Sequence, residues 1–149
     1  QGSRVAVCLM DLDGFKLIND TLGHTVGDEV MRDVARHLET TVREEDTVAR
    51  WGGDEFVLLI NGFTDKAQLE EIMKRVLSAV AHSTSFSGGY PVSTSIGISI
   101  YPADASNALS LFKHADEAMY DAKKSGGNRY ALHAVHSAAL NPSVGQLPG

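Results

Sequence analysis

Two pairs of acidic residues in this sequence have the chemistry and the neighbours that a metal site needs. Asp11 and Asp13 directly follow a short apolar run at residues 4–10. Asp54 and Glu55 follow two glycines that separate two further apolar runs. If the first run and the glycine hairpin are neighbouring strands, these carboxylates converge, and converging carboxylates repel unless a cation lies between them. Oxygen ligands of this kind favour Mg²⁺ or Mn²⁺, although a loop aspartate such as Asp13 could equally make a turn.

The apolar periodicity predicts the elements that would hold these acids in place. Short runs rich in β-branched residues predict strands, and apolar residues at three- and four-residue spacing predict amphipathic helices. The predicted strands span 4–10, 46–51, 55–60, 92–101 and 129–132, and the predicted helices span 15–20, 28–41, 66–81 and 107–124. Because hairpins and crossover helices are mixed, we expect an α+β fold with a mixed central sheet of about five strands flanked by helices.

The length of the chain favours one domain. Its 149 residues and 16.0 kDa leave little room for a second one. We interpret residues 1–3 as the remnant of an expression tag and 4–133 as the domain. Residues 134–149 contain proline and glycine without a regular apolar period, which is typical of a tail or linker.

The composition argues against several classes of protein. Apolar residues make up 43% of the chain and charged residues 21%, which is typical of a folded domain. No apolar run approaches the roughly 20 residues that span a bilayer, so we expect membrane attachment only through parts of a longer protein. The net charge of −6 argues against DNA or RNA binding. Cys8 is the single cysteine, which excludes an internal disulfide and favours a cytoplasmic location.

The segment around the second acidic pair resembles a family signature. Residues 50–56 read RWGGDEF, which resembles the signature of the GGDEF family, the diguanylate cyclases that condense two GTP molecules into cyclic di-GMP. Other segments that resemble this family read MDLDGFKLIND at 10–20, LGHTVGDEVM at 22–31, STSIGIS at 93–99 and ADEAMYDAKKSGGNRY at 115–130. The resemblance runs from about Val5 to Tyr130, and it implies a fold like the palm of nucleotidyl cyclases and polymerases.

The resemblance implies roles for the acidic residues. The ligands of Mg²⁺ or Mn²⁺ would be the side chains of Asp11 and Asp54 and the backbone carbonyl of Leu12. Asp54 and Glu55 would be the catalytic carboxylates. The sequence leaves open which of these two accepts the proton of the attacking hydroxyl.

The resemblance also implies a guanine site. Asn19 and Asp28 would hold the guanine edge, because an amide oxygen or a carboxylate accepts from its N1–H and N2–H₂ groups. His24 lies between them in the sequence and would line the same pocket. Asn19 and Asp28 could instead cap helices, and His24 could be an ordinary surface histidine.

The phosphates of GTP would meet a lysine and several backbone groups. Lys123 resembles the lysine that reaches the triphosphate, although it could also be a solvated residue at a helix C-terminus. Backbone N–H groups at the start of the short helix could bind phosphate oxygens, and they belong to Leu12, Asp13, Gly14 and Phe15. The turn at Gly52 and Gly53 lacks side chains, so a ligand could approach its backbone closely.

Arg43 and Asp46 form a second candidate site just before the glycine motif. An Arg-x-x-Asp segment at this distance resembles the family's inhibitory product site, where arginine contacts guanine and phosphate and aspartate reads the guanine edge. Arginine suits this role because its planar group donates two hydrogen bonds at once. The alternative is a surface ion pair worth under about 1 kcal/mol.

Gly127 and the linker-like residues 134–149 leave a second function open, and the sequence departs from the family pattern in two places. Gly127 stands where the family usually has an arginine, and the family's opening helix and the segment after it are missing from this chain. The expected function is a cyclase that binds GTP and is inhibited by its product, working as a homodimer held by upstream or accessory domains. The alternative is a non-catalytic module that binds GTP or cyclic di-GMP and regulates an attached domain.

Overall fold

This computed structural model describes residues 4–83, 90–105 and 107–133. These residues contain five strands and four helices. In chain order they are β1 (Val5–Asp13), α1 (Phe15–Leu22), α2 (His24–Thr41), β2 (Thr47–Arg50), β3 (Glu55–Asn61), α3 (Lys66–Ala81), β4 (Ser93–Tyr101), α4 (Ala108–Lys124) and β5 (Arg129–Leu132). No helix within these ranges is long and apolar enough to cross a lipid bilayer. The expected tag remnant at 1–3 and the expected tail at 134–149 lie outside the described residues.

The strands form one mixed sheet in the order β2-β3-β1-β4-β5. β1 lies at the centre and is antiparallel to both β3 and β4, while β5 is parallel to β4. The α+β fold with a mixed five-stranded sheet and flanking helices is therefore confirmed. The register sets Asp11 beside Glu55 of β3 and Ser95 of β4. The two acidic segments consequently meet at one end of the central strands.

Alternate residues of β1 face opposite sides of the sheet, because side chains along a strand have a period of two. The even-numbered residues from Ala6 to Leu12 belong to the main core, which α2 and α3 complete. Val7 and Leu9 face the other side and pack in a smaller cluster with α4. Asp11 and Asp13 continue this second face, so the C-terminal end of α4 lies beside them.

Gly97 allows α4 to approach β4 closely. A Cβ atom at this position would lie 2.0 Å from the carbonyl oxygen of Ala115 and 2.2 Å from the backbone nitrogen of Met119. Because both are backbone atoms of the helix, no larger side chain fits without moving α4. This close packing fixes where the last turn of α4 lies, and that turn carries Lys123.

Two element boundaries near the acids differ from the sequence prediction. β1 continues to Asp13 rather than ending at Met10, because its pairing with β4 extends that far. α2 begins before Gly27, which lies inside the helix instead of breaking it. Asp28 is therefore a residue of the second turn of α2, and the residue that precedes the helix is Gly23.

Candidate active site

The carboxylates of Asp11, Asp54 and Glu55 form one cluster at the end of β1. One carboxylate oxygen from each residue lies within 4.8 Å of the others, and all three residues are partly buried. The glycine turn and the pairing of β1 with β3 bring them together. Oδ1 of Asp11 is buried and accepts no hydrogen bond from any described residue. A buried oxygen without a partner among three carboxylates fits a hard divalent cation such as Mg²⁺ or Mn²⁺.

Burial and repulsion shift the acidity of this cluster. Burial raises the pKa of Asp11 to about 7; the negative charges of Asp54 and Glu55 act in the same direction. The nearby ammonium group of Lys123 lowers the pKa of Asp11 and offsets part of this rise. Burial, followed by the charges of Asp54 and Asp116, also raises the pKa of Glu55. A bound cation would relieve this repulsion, so the cluster has the electrostatics of a cation site.

Asp13 is surrounded by donors and lies outside the cluster. Its carboxylate accepts hydrogen bonds from the hydroxyl groups of Ser93 and Ser95, each at 2.8 Å. The backbone N–H of Asn128 donates to it at 2.9 Å, and Nζ of Lys123 donates at 3.0 Å. Burial acts to raise the pKa of Asp13, but these donors outweigh burial and lower it below the ordinary value. The side chain of Asp13 therefore joins β1 to β4 and to the end of α4.

Lys123 lies between the two aspartates of β1. Its Nζ is 3.0 Å from Oδ1 of Asp13 and 3.6 Å from Oδ2 of Asp11. About a third of its side chain is exposed, so the ammonium group has solvent on one side. The lysine thus places a positive charge beside the acidic cluster.

The turn after α4 fits around Asp13. Gly127 has a φ of 73°, in the left-handed region, and a Cβ atom there would lie 3.0 Å from Oδ2 of Asp13. An arginine at this position, as in the family pattern, would strain the backbone and displace the carboxylate. The departure at Gly127 therefore has a structural reason in this chain.

A cavity of about 450 Å³ opens beside the acidic cluster. The residues that line it are Phe15, Lys16, Asn19, Asp20, His24, Asp28, Arg50, Gly53 and Asp54. They include the three residues expected to form the guanine site, which come from α1 and α2. Of the described residues expected to bind substrate, five lie outside this lining: Leu12, Asp13, Gly14, Gly52 and Lys123. Asp54 belongs to both the cavity and the cluster, so a ligand in the cavity can reach the candidate metal site.

Gly27 gives Asn19 the space it occupies in the cavity wall. A Cβ atom at Gly27 would lie 1.9 Å from Oδ1 of Asn19 and 3.2 Å from the ring of Phe15. The helix therefore needs glycine here for the amide to pack against it. The helix predicted at 28–41 did not include Gly27, so this contact with Asn19 was not predicted.

One of the four backbone amides expected to bind phosphate, that of Leu12, has a partner within the protein. The N–H of Leu12 donates to the carbonyl oxygen of Asp54 at 3.1 Å, so it is already used within the fold. The expectation for this amide was wrong, because β1 extends past Met10 and the backbone of Leu12 bonds to the glycine turn. The side chain of Leu12 is buried in the core.

Comparison with known proteins agrees with this geometry. The family model described as "Diguanylate cyclase, GGDEF domain" matches residues 1–129. The chain belongs to the GGDEF-domain family.

Among curated relatives, the bifunctional diguanylate cyclase/cyclic di-GMP phosphodiesterase MucR of Pseudomonas aeruginosa is 45% identical over 132 residues. These residues are 87% of this chain and 19% of MucR. A solved EAL/GGDEF domain protein from M. capsulatus is 41% identical with a TM-score of 0.81, covering 90% of this chain and 87% of that one. The GGDEF domain of DgcB from Caulobacter crescentus, solved in complex with c-di-GMP, is 25% identical with a TM-score of 0.76, covering 89% and 79%. The chain spans only part of its relatives' length: 19% of MucR, 35% of diguanylate cyclase A of Treponema denticola and 16% of a signaling protein of Caulobacter vibrioides.

Arg50 of the GGDEF motif is a cavity residue that the sequence analysis gave no role. Its Nη2 donates to the carbonyl oxygen of Gly53 at 2.8 Å, and its Nε donates to that of Gly52 at 3.3 Å. The signal available in the sequence was its place two residues before the first glycine. Side-chain alternation along β2 could not reveal that the guanidinium group turns back toward the loop.

Arg43 and Asp46, the expected product site of the GGDEF domain, lie in the turn before β2. The Asp46 side chain is fully buried, whereas about a third of the Arg43 side chain is exposed. Asp46 accepts hydrogen bonds from the backbone N–H groups of Arg43 at 3.0 Å and Asn61 at 2.9 Å. The alternative of a surface ion pair does not describe Asp46, because its buried carboxylate bonds to the end of β3.

Proposed function

We propose that this chain is the catalytic domain of a diguanylate cyclase, in which two GTP molecules condense to cyclic di-GMP and release pyrophosphate. The 3′-hydroxyl of one GTP attacks the α-phosphate of the other, and the reaction occurs twice. The observation that carries this proposal is the cluster of Asp11, Asp54 and Glu55 beside a cavity lined by Asn19 and Asp28. Its membership of the GGDEF-domain family supports the same reaction.

The acidic cluster would hold Mg²⁺ or Mn²⁺ through the carboxylates of Asp11 and Asp54 and the carbonyl of Leu12. When bound there, a divalent cation would supply charge neutralisation for the phosphates and would lower the pKa of the attacking hydroxyl. Glu55 and Asp54 are the nearest carboxylates of the cluster to accept the proton. Glu55 lies opposite Asp11 in the sheet, so its side chain is held beside the reacting groups.

The cavity would hold the guanine base of GTP. Asn19 and Asp28 both line it, and their oxygens can accept from the N1–H and N2–H₂ groups of guanine. His24 completes this wall. Adenine presents an acceptor at N1, which would leave the Asp28 carboxylate unpaired, so the site favours guanine.

The phosphates would extend from the cavity toward the acidic cluster. Lys123 offers a positive charge there, and the backbone amides of Gly14 and Phe15 lie at the start of α1, where N–H groups bind anions. The amide of Asp13, at the end of β1, precedes them. With Gly127 in place of arginine, Lys123 carries more of the phosphate binding than in the family pattern.

Turnover would require two copies of the domain. Each copy contributes one GTP, and the two GTP molecules must face each other for the two attacks. We therefore propose a catalytic homodimer, held together by other parts of a longer protein.

A non-catalytic module that binds GTP or cyclic di-GMP is the second candidate. The observation in its favour is Gly127, which replaces a cationic residue of the family pattern. Product binding at Arg43 and Asp46 would belong to either function. The GGDEF domain of DgcB was solved in complex with c-di-GMP, and this supports the proposal that the present chain also binds the product.

The test is conversion of GTP by the chain, alone and fused to a leucine zipper that pairs two copies. Incubation with GTP and Mg²⁺, followed by chromatography, should yield cyclic di-GMP from the paired form. Asp54→Asn should abolish it, and Asp121→Asn, on the exposed side of α4, should not. If the paired chain makes no cyclic di-GMP but binds GTP or cyclic di-GMP, the binding module is the correct function.

A further inference from the structure

The glycine turn that carries Asp54 has little of its own to hold it in one conformation. Gly52 and Gly53 have no side chains, and a Cβ atom at Gly53 would have no neighbour within 4 Å. Glycine has the largest conformational freedom of any residue, so such a turn samples many shapes unless other groups fix it. A metal ligand at the end of this turn needs a defined position.

Arg50 supplies the missing constraint on one side of Asp54. Its guanidinium group donates to the carbonyl oxygens of both turn glycines, at 3.3 Å for Gly52 and 2.8 Å for Gly53. The Gly53 carbonyl belongs to the peptide bond that precedes Asp54. This planar fork therefore sets the orientation of the peptide through which the chain enters Asp54.

β1 supplies the constraint on the other side. The N–H of Leu12 donates to the carbonyl oxygen of Asp54 at 3.1 Å, which fixes the peptide bond that follows Asp54. Trp51 N–H also donates to the carbonyl oxygen of Glu55 at 2.8 Å and closes the hairpin. With both flanking peptides held, the direction of the Asp54 side chain is determined by its own rotamer alone.

We propose that Arg50 is a positioning residue that holds the Gly52-Gly53 turn and thereby sets the Asp54 carboxylate at the acidic cluster. This inference rests on the proposed metal site of the cyclase. It differs from a phosphate-binding role, in which the guanidinium group would contact the substrate and not the carbonyl oxygens of the turn. The two hydrogen bonds end on uncharged carbonyl oxygens, so the fork geometry is what the turn uses.

Substitution by lysine separates geometry from charge. Arg50→Lys keeps the charge but cannot donate to two carbonyls in the same plane, and Arg50→Gln loses both. The matched control is Arg32→Gln, an exposed arginine of α2 that contacts Glu29 away from the cavity. Each variant is prepared without metal, and its melting temperature is measured first to confirm that it folds.

The decisive measurement is titration of the metal-free protein with Mn²⁺ in the absence of nucleotide. Both Arg50 variants should bind Mn²⁺ about tenfold more weakly than the original chain, as expected when a group that orients a metal ligand is lost. Arg32→Gln should bind normally. Normal Mn²⁺ affinity in Arg50→Lys would overturn the proposal, and so would a failure of the original chain to bind Mn²⁺.

Turnover gives a second measurement. In the paired chain, both Arg50 variants should lower kcat for GTP more than they raise KM, because they misplace a metal ligand and leave the guanine contacts intact. A rise in KM alone that lysine rescues would overturn the proposal in favour of phosphate binding. If the chain binds Mn²⁺ with the expected dependence on Arg50 but never forms cyclic di-GMP, the proposed function fails and this inference stands.

Discussion

Asp11 and Glu55 lie directly opposite each other in the antiparallel pairing of β1 and β3. Directly opposed residues of neighbouring strands have their side chains on the same face, about 4.5–5.5 Å apart at Cβ. Like charges in such a pair are destabilising, and here Asp54 adds a third. The hydrogen bonds of the sheet hold the carboxylates together, so the cluster stores repulsion in the metal-free state.

This repulsion predicts a pH dependence for the metal-free protein. In the folded chain the pKa of Asp11 is about 7 instead of 3.8. The Asp11 carboxyl group therefore stays protonated to a higher pH in the folded state than in the unfolded state. The free energy of unfolding should therefore fall as the pH rises from 3.8 toward 7. Asp11→Asn should flatten this slope and raise the melting temperature at pH 8.

Thermal unfolding with a chelator, and again with Mn²⁺, checks this prediction. Mn²⁺ should stabilise the original chain at pH 8 and should stabilise Asp11→Asn far less. Asp121→Asn is the control, because it removes an exposed carboxylate of α4 that does not belong to the acidic cluster. A stability slope for Asp11→Asn equal to that of the original chain would contradict the prediction.

Asp28 should determine the choice of base. Asp28→Asn replaces an acceptor carboxylate with an amide, and a hydrogen bond to a charged group contributes about 1.5–3 kcal/mol. The preference for GTP over ATP should fall by about tenfold to a hundredfold. Competition binding with both nucleotides measures the ratio. Glu29→Gln, on the neighbouring residue that contacts Arg32, should leave the ratio unchanged.

Gly27→Ala should impair nucleotide binding through Asn19. The added Cβ would lie 1.9 Å from Oδ1 of Asn19, so the amide must rotate away from the position it has in the cavity wall. GTP affinity should fall by about as much as in Asn19→Ala. In the double variant the two losses should not add, because the alanine at 19 removes the clash. Additive losses measured by calorimetry would show that Gly27 acts in another way.

Gly127→Arg should not restore a more active enzyme. The left-handed backbone at Gly127 costs a residue with a side chain about 1–2 kcal/mol, and its Cβ presses on Asp13. We expect a lower melting temperature with no gain in turnover. Gly127→Ala carries the same strain without the charge, so comparing the two variants isolates the effect of the guanidinium group. Higher activity at unchanged stability would contradict this expectation.

Arg43→Ala should weaken binding of cyclic di-GMP, if the product binds at this turn. Loss of charge-assisted hydrogen bonds should cost about 1.5–3 kcal/mol, or about tenfold to a hundredfold in affinity. Calorimetric titration with cyclic di-GMP measures this, and Glu45→Gln controls for the neighbouring ion pair of Arg43. Inhibition should be non-competitive with GTP. Unchanged affinity in Arg43→Ala would mean that the turn has only a structural role.

The sequence was sufficient to predict the helices and strands and the convergence of the acidic residues. Both follow from the spacing of apolar residues and the positions of the motifs. The short apolar run at residues 4–10 predicts a strand, and strand adjacency then predicts that Asp11 approaches Glu55. The sequence was not sufficient to predict a hydrogen bond between a side chain and a backbone group that is distant in the chain. Asp46 is buried because Asn61 lies beside it through the pairing of β2 with β3, and no local pattern indicates that contact. Arg50 was missed for another reason: its partners Gly52 and Gly53 are near in the chain, but strand alternation does not indicate that the guanidinium group turns back toward their carbonyl oxygens.

The contacts of Asp13 have a consequence for the time course of synthesis. Its partners Ser93, Ser95, Lys123 and Asn128 are 80, 82, 110 and 115 residues further along the chain. Domains emerge from the ribosome N-terminal end first, at about 5–20 residues per second. Asn128, the last of these donors, is therefore synthesised several seconds after Asp13. Contacts of such long sequence separation also form slowly. The nascent chain would carry its acidic residues exposed for that period, and the site would be completed only when synthesis reaches β5.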